Sequence, residues 1–428
     1  MSKGASYIGD VDVFDLLSDF FLVTSMVTLF TLNYETEHYG FLVTNSCVVL
    51  FIVTQLIAFV RGRRFSLDGV VAIYFAFIAF CTLSLLWTVS FERSLHELIT
   101  LVSIGFFMAA LSMYLQHDGE RHLRLLLKAV VFSSIISCLY VLLTFNWSDL
   151  SRANGVIGDA NQACAYLAYC LPLGYYCWRK RLVGVGIFAI QAALVFATVL
   201  ASGTRSGLIS CVLGFLLLWF IQECSKGFFS IKNFGLIALG VALFVGLLYF
   251  IMHNDFAYQL IGSRFEQLLH YLTGTETQDN YSSTYDYSAR ERAGLLNLAI
   301  EVWLQSPAWG TGLNGFSYYA AITLRDTFCH NNYLEILTSV GVIGLAIYYS
   351  QHLLIIKRAL KRPLLEKAVV IAVVVQMLIA HVTVVFFALK LEVVFVVLFY
   401  ALAQGRPGLS GSDVHIVRAA TFYQLERL

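Results

Sequence analysis

Apolar and polar residues fall in long alternating blocks along this chain. About twelve apolar runs cover approximately 16–33, 40–60, 69–90, 97–116, 124–145, 162–178, 183–201, 206–222, 233–252, 332–356, 367–388 and 391–404. A bilayer core roughly 30 Å thick is crossed by about 20 apolar residues in a helix. Each run therefore predicts one membrane-crossing helix, and the fold class expected is an all-α polytopic membrane protein with about twelve spans. One polar block breaks the rhythm. Residues 253–331 form a long insert between the ninth and tenth runs, and a connection of that length is usually functional. No internal repeat and no matched pair of broken helices of the kind found in secondary transporters is visible. The domain reading is one transmembrane domain over 1–405, which includes the insert, followed by a short polar tail over 406–428.

The basic residues orient this pattern. Arg61, Arg63 and Arg64 follow the second run, Arg121 and Arg124 the fourth, Arg179, Lys180 and Arg181 the sixth, Lys226 and Lys232 the eighth, and Lys357, Arg358, Lys361 and Arg362 the tenth. Lys and Arg in short loops mark the cytoplasmic side. Every cluster follows an even-numbered run, so these loops and both termini are expected in the cytoplasm, and the insert 253–331 outside.

Composition agrees. Hydrophobic residues make up 59% and charged residues 13% of the 428 positions, against roughly 25% charged in a soluble domain. The mean hydropathy is +0.75. No single soluble core hides that much apolar surface. The net charge of +1 implies no nucleic-acid partner. The N-terminus carries Lys3 and then acids, with no small-residue cleavage site after a short apolar core, so the first run reads as a retained anchor. The nine cysteines include no CxxC pair, and most lie inside apolar runs, where free Cys behaves as a small hydrophobe. Cys329 alone lies in a polar stretch and reads as an incidental thiol.

The expected outer side collects the candidate chemistry. Arg205 sits in Ala-Ser-Gly-Thr-Arg-Ser-Gly, at the turn joining the seventh and eighth runs. Ser202 or Thr204 can cap the incoming helix, and a cation in its first turn opposes the helix dipole. A ligand role competes there with an Arg that snorkels to lipid headgroups. The insert holds Arg264, Arg290 and Arg292, and an amphipathic stretch over about 290–305 that stops at Pro307 and the segment Gly310-Thr-Gly-Leu-Asn-Gly315. Gly at that density permits close backbone approach to a ligand or serves a plain linker, and a solvated helix face is the competing account of the charges. Cys329-His-Asn-Asn-Tyr-Leu-Glu335 then leads into the tenth run. His330 exchanges a proton near neutral pH when unperturbed, and Asn331 flanks it. His381 lies in the outer half of the eleventh run, a depth at which an ionisable group usually faces a cavity or partner. Asp10-Val-Asp12 matches a short acidic pattern of nucleotide-sugar enzymes but reads as chance on the cytoplasmic side. No HExxH, GxSxG or phosphate-cradling P-loop is present, and no metal or other cofactor is expected.

In order and spacing these residues resemble the O-antigen ligase and Wzy-type polysaccharide polymerase superfamily. The resemblance is carried by Arg292, Pro307 fifteen residues on, Gly310 to Gly312, Phe316, His330 to Glu335 and Gly341 to Leu345. Ser151-Arg-Ala-Asn-Gly-Val-Ile-Gly-Asp-Ala-Asn161-Gln is similar to the family's segment before the sixth span, and Thr204-Arg205-Ser-Gly to its Arg motif. Asp159-Ala160-Asn161 stands where the family usually has Asn-Pro-Asn. Arg290 and Arg292 compete for one family role, and the spacing to Pro307 favours Arg292.

The resemblance implies a metal-independent, inverting glycosyltransferase of the bacterial cytoplasmic membrane. Its donor would be a glycan on undecaprenyl pyrophosphate and its acceptor a lipid-carried glycan, among membrane lipids, with a flippase and a chain-length regulator as further partners. With it, His330, Arg205 and Arg292 are read as catalytic residues, and Arg290, Arg152, Asn161 and Asn331, together with Arg264 and His381 from their places in the chain, as substrate-binding residues. Polymerase is favoured over ligase, because the segment from His330 through Gly341-Val-Ile-Gly-Leu looks closer to capsule and exopolysaccharide polymerases. A transporter or flippase is the reading from another class. It predicts polar groups spread along inner helix faces rather than banked at one surface.

Overall fold

The computed structural model describes residues 13–32, 38–145, 159–224 and 284–405, with scattered positions between 235 and 266. These residues form helices α1 (Val13–Thr31), α2 (His38–Val60), α3 (Gly69–Leu83), α4 (Phe91–His117), α5 (Gly119–Thr144), α6 (Ala160–Arg179), α7 (Val185–Ser202) and α8 (Arg205–Cys224). After the insert come α9 (Thr284–Gln305), α10 (Gly315–Thr323), α11 (Asn332–Ala359), α12 (Leu364–Ala380) and α13 (Lys390–Gln404). No strand occurs among the described residues. Eight helices there are long and apolar enough to cross a membrane. The chain is thus an all-α, multi-pass membrane protein.

Most apolar runs recur as helices within a few residues. The ninth run, 233–252, lies largely outside the described residues, as do the tail 406–428 and most of 253–283. The described part of the insert includes two helices, α9 at the amphipathic stretch and α10 after the Gly-rich segment. The eleventh run is cut short. α12 stops at Ala380, and 381–389 is a partly buried turn segment rather than the end of a helix.

The two ends of the bundle differ in charge. At one end Arg63 pairs with Asp15, Arg121 with Asp19, and Lys180 with Glu366 at 2.6 Å. Lys357, Arg358, Lys361 and Arg362 line a cavity there beside Gln404, and the Gly69 amide donates to Tyr400 Oη. These are the loops after even-numbered runs, so the sequence pattern and the packing gather the same cations.

α11 corrects a larger expectation. The sequence reads 332–356 as one straight span, yet Asn332 Nδ2 donates to Tyr349 Oη at 2.9 Å. Seventeen residues of straight helix would separate them by about 25 Å. The helix breaks at Gly341, with φ 65° and ψ −169°, and doubles back as two arms. Non-helical backbone within a membrane protein persists where other protein groups satisfy it. Here the segment after Pro307 does so. The Val342 amide donates to the Pro307 carbonyl, and the amides of Thr311 and Gly312 donate to the carbonyls of Thr338 and Ser339, at 2.8–3.0 Å. A Cβ on Gly341 would stand 2.2 Å from the Ala308 oxygen, and one on Gly310 2.4 Å from Ser339 backbone. The Gly-rich segment thus permits close approach to α11 at Gly310 and to Thr88 at Gly312.

Candidate active site

His330 is assembled by its own neighbours. Asn331 caps α11, its Oδ1 accepting from the Leu334 amide at 3.0 Å and its Nδ2 donating to the Val382 carbonyl at 3.1 Å. The Cys329 amide donates to Glu335 Oε2 at 2.9 Å, and the Cys329 thiol to the Asn331 carbonyl. Held from both sides, His330 takes a left-handed φ of 56°, an uncommon conformation for a non-glycine residue that a surrounding structure must enforce. Asn332 braces this from behind. It is fully buried, its amide donates to the His381 carbonyl, and its Oδ1 accepts from the amides of Phe386 and Phe387 at 2.8 and 3.0 Å. The motif His-Asn-Asn-Tyr-Leu-Glu thus spends most of its polar atoms holding one histidine in place.

The His330 ring is half-buried against Phe328, with centroids 4.4 Å apart. Its Nδ1 is covered and has no hydrogen-bond partner among the described residues. Burial, then the Arg292 and Arg325 guanidinium groups, push its pKa down to about 4, against the opposing pull of Asp159. The ring is therefore neutral at physiological pH.

Arg292 reaches this point through α9. Leu295 and Ala299, one turn apart, pack with Phe316 and Ala320 of α10 and with Cys329 in one small apolar cluster. Arg292 lies three residues before Leu295 on the same helix face, at the cluster's edge beside His330. The loop after α10 is tied to α4 by a two-pronged Arg93–Asp326 pair at 2.6 and 2.9 Å, which holds the exposed Asp326 carboxyl below its usual range.

Arg205 joins from the other side. It is half-buried at the start of α8, after Gly203 ends α7 in the left-handed conformation. The Thr204 carbonyl accepts the Leu208 amide, which makes Thr204 the cap residue of α8. Ser206 Oγ donates to Asn161 Oδ1 at 3.4 Å, and Asn161 in turn donates from its backbone and side chain to Asp159 Oδ1 at 2.8 and 3.1 Å. Asp159 caps α6, so the chain enters that helix at Asp159-Ala160-Asn161 without the family's proline. The starts of α6 and α8 and the His330 loop thus gather Arg205, Asn161, Asp159, Arg292, Arg325 and His330 at the end opposite the cytoplasmic-type clusters.

Other expectations stand differently. Arg152 and Arg264 lie outside the described residues, and of Arg290 only the backbone, within α9, is described. His381 is fully buried, with Nδ1 3.0 Å from Tyr349 Oη and Nε2 3.0 Å from Glu392 Oε1. A ring so enclosed braces the His330 loop from behind, through the Asn332 amide that donates to its carbonyl. Cys329 is buried and its thiol pushed well up by burial, so it is a packed core thiol rather than an exposed one. Arg325 was not singled out from sequence. Its signal was there: arginine is unfavoured on the outer side by the charge rule, so each one found there asks for a reason.

An all-helical membrane protein with arginines and a neutral histidine banked at one end is the class this geometry defines. Residues 190–349 match the family described as Wzy_C, O-Antigen ligase, in line with the resemblance read from the sequence. A search of curated proteins finds no match. The matched region contains Arg205, Arg292 and His330, while Asn161 and His381 fall outside it. The match supports glycan processing of the ligase or polymerase type, on lipid-linked substrates in general.

Proposed function

We propose that the protein is a polysaccharide polymerase of the O-antigen, capsule or exopolysaccharide type. It transfers a glycan from undecaprenyl pyrophosphate to a second lipid-linked repeat unit, with inversion, at the outer face of the bacterial cytoplasmic membrane. The observation that carries this reading is the half-buried His330, its Nδ1 without a partner among the described residues and within electrostatic reach of Arg292 and Arg325. Arg205 and Arg292 bind the donor pyrophosphate, whose negative charge grows as the bond from the anomeric carbon to the phosphate oxygen breaks. Guanidinium forks match phosphate oxygens, and fixed cations aimed at developing charge are a large catalytic contribution. The acceptor hydroxyl oxygen attacks the anomeric carbon from the opposite side, and its proton passes to the His330 ring. The bound pyrophosphate offsets the cations that keep His330 a weak base, so donor binding strengthens the base when it is needed. No metal ion takes part at the reacting atoms. Flippase and chain-length regulator proteins are its expected partners in the membrane.

A ligase reading is favoured by the family's own description as O-Antigen ligase. The two differ in acceptor only, and one assay separates them. Purified protein in lipid nanodiscs receives lipid-linked repeat units with EDTA present. A ladder of longer lipid-linked glycans is expected. No ladder, but transfer once lipid A–core is added, identifies a ligase. Turnover abolished by EDTA and restored by Mg²⁺ or Mn²⁺ but not by zinc defeats the metal-independent step.

A further inference from the structure

Directly behind Asn332 lies a buried cluster that the proposed reaction does not use. His352 of α11, His381 after α12 and Glu392 in the first turn of α13 are each at most 2% exposed. One ligand-type atom from each lies within 4.8 Å of the others. Glu392 Oε1 stands 3.0 Å from His381 Nε2 and 3.9 Å from His352 Nε2. The second distance is beyond a hydrogen bond, and neither His352 nitrogen has a hydrogen-bond partner among the described residues; nor has Glu392 Oε2. An unpaired imidazole and half of a carboxylate enclosed in a membrane protein require a partner.

We infer that His352, His381 and Glu392 form a structural site for a divalent transition metal, zinc by ligand chemistry. Three observations point there. Zinc holds His nitrogen and carboxylate oxygen at about 2.0–2.2 Å in tetrahedral geometry, which sets neighbouring ligand atoms roughly 3.4 Å apart. The two Nε2–Oε1 distances bracket that value, so small shifts bring all three atoms onto one ion. Two imidazoles and one carboxylate are a zinc-type donor set, whereas calcium and magnesium take oxygen ligands. Finally, His381 carries the outer support expected of a metal ligand. Its Nδ1 meets Tyr349 Oη at 3.0 Å, and Asn332 Nδ2 holds that hydroxyl at 2.9 Å. With Nδ1–H donated to Tyr349, Nε2 turns a lone pair toward Glu392, and a cation between the two relieves the repulsion.

A shared proton is the competing arrangement. It accounts for the 3.0 Å His381–Glu392 contact but leaves His352 without a bond. A metal engages all three and staples the second arm of α11 to the ends of α12 and α13. Those elements hold Asn332, and through it the His330 loop. The site is set apart from the reacting groups, so this inference stands whether or not the proposed transfer is correct.

The test reads metal content, not turnover. Full-length protein is purified in detergent without chelator, and its metals are counted by mass spectrometry. About one zinc per chain is expected, falling at least tenfold in His352→Ala and in Glu392→Gln, and unchanged in His330→Ala. Because a buried-site variant can fail to fold, wild-type protein stripped of metal is also titrated with Co²⁺. Tetrahedral cobalt absorption bands at one equivalent are expected. Wild-type protein with no stoichiometric metal and no cobalt bands overturns the inference and leaves a shared proton. Zinc fully retained in a folded His352→Ala protein overturns it as well.

Discussion

The roles proposed for His330 and the arginines around it rest on an opposition of charge and burial, and each part of that balance predicts a measurement. The pKa of about 4 lies below the unperturbed value of about 6.5, so the ring stays in its proton-accepting form throughout the physiological range. The acid limb of kcat/KM, which reports the free enzyme, is expected near pH 4–5. Replacing Arg292 by Gln removes a cation and moves that limb upward. The stability consequence has the same sign. An unfolded chain takes up the proton first, so the His330 contribution is complete above about pH 6.5 and shrinks as pH falls toward 4. A wild-type acid limb at 6.5 that ignores Arg292→Gln would contradict the assigned environment. The arginines give a second test. Losing one interaction that strengthens in the transition state costs about 3 kcal/mol, or roughly a hundredfold in rate. Arg205→Lys and Arg292→Lys are expected to lose nearly as much as the Ala variants, since an ammonium does not reproduce the two-pronged fork. Near-normal turnover in Arg205→Ala at normal expression removes Arg205 from the reaction.

Among the elements, α11 carries the most consequence. Its two arms exist because Gly341 adopts a φ/ψ pair reserved in practice for glycine, against the Ala308 carbonyl. Gly341→Ala adds both backbone strain and a clash, each costing about 1–3 kcal/mol. We expect its melting temperature in detergent, followed by size exclusion after heating, to fall by several degrees. Gly186→Ala, whose added methyl meets nothing within 4 Å, serves as the control and is expected to melt as wild type. Equal melting of the two variants would remove the break from the list of what holds the site. This element also marks the limit of what the sequence discloses. Run length and apolarity reveal that a helix starts near Asn332, and Gly341 was visible within a family-like segment. That the helix folds back there depends on the Pro307–Gly312 backbone meeting it from another part of the chain, a long-range fact that no local pattern carries. The end of α12 was misjudged for a related reason. Residues 381–389 are as apolar as a span, and Val384, Phe386 and Phe387 among them are buried in the protein. At the site, Arg205, Arg292 and His330 were readable because charge is rare in this chain. Arg325 and Asp159 were not singled out for the site, since only the fold brings them within electrostatic reach of His330.

At the scale of the whole molecule, function rests on which end faces outward. The gathered cations of the short loops and the candidate site lie at opposite ends of the bundle, so a single orientation decides both. Loop cations retained on the cytoplasmic side put His330 and the arginines outside, where lipid-linked glycans would be joined. Native thiols do not report this well, since the described cysteines other than Cys47 are buried, Cys329 among them. Engineered ones do. Thr323 at the end of α10 and Lys361 after α11 are both exposed, one at each end. In spheroplasts, a membrane-impermeant maleimide is expected to label Thr323→Cys at once and Lys361→Cys only after permeabilisation. The opposite result inverts the molecule. The arginine and histidine groups would then face the cytoplasm, and a reaction on glycans carried at the outer face would have to be abandoned even if every residue-scale measurement agreed with it.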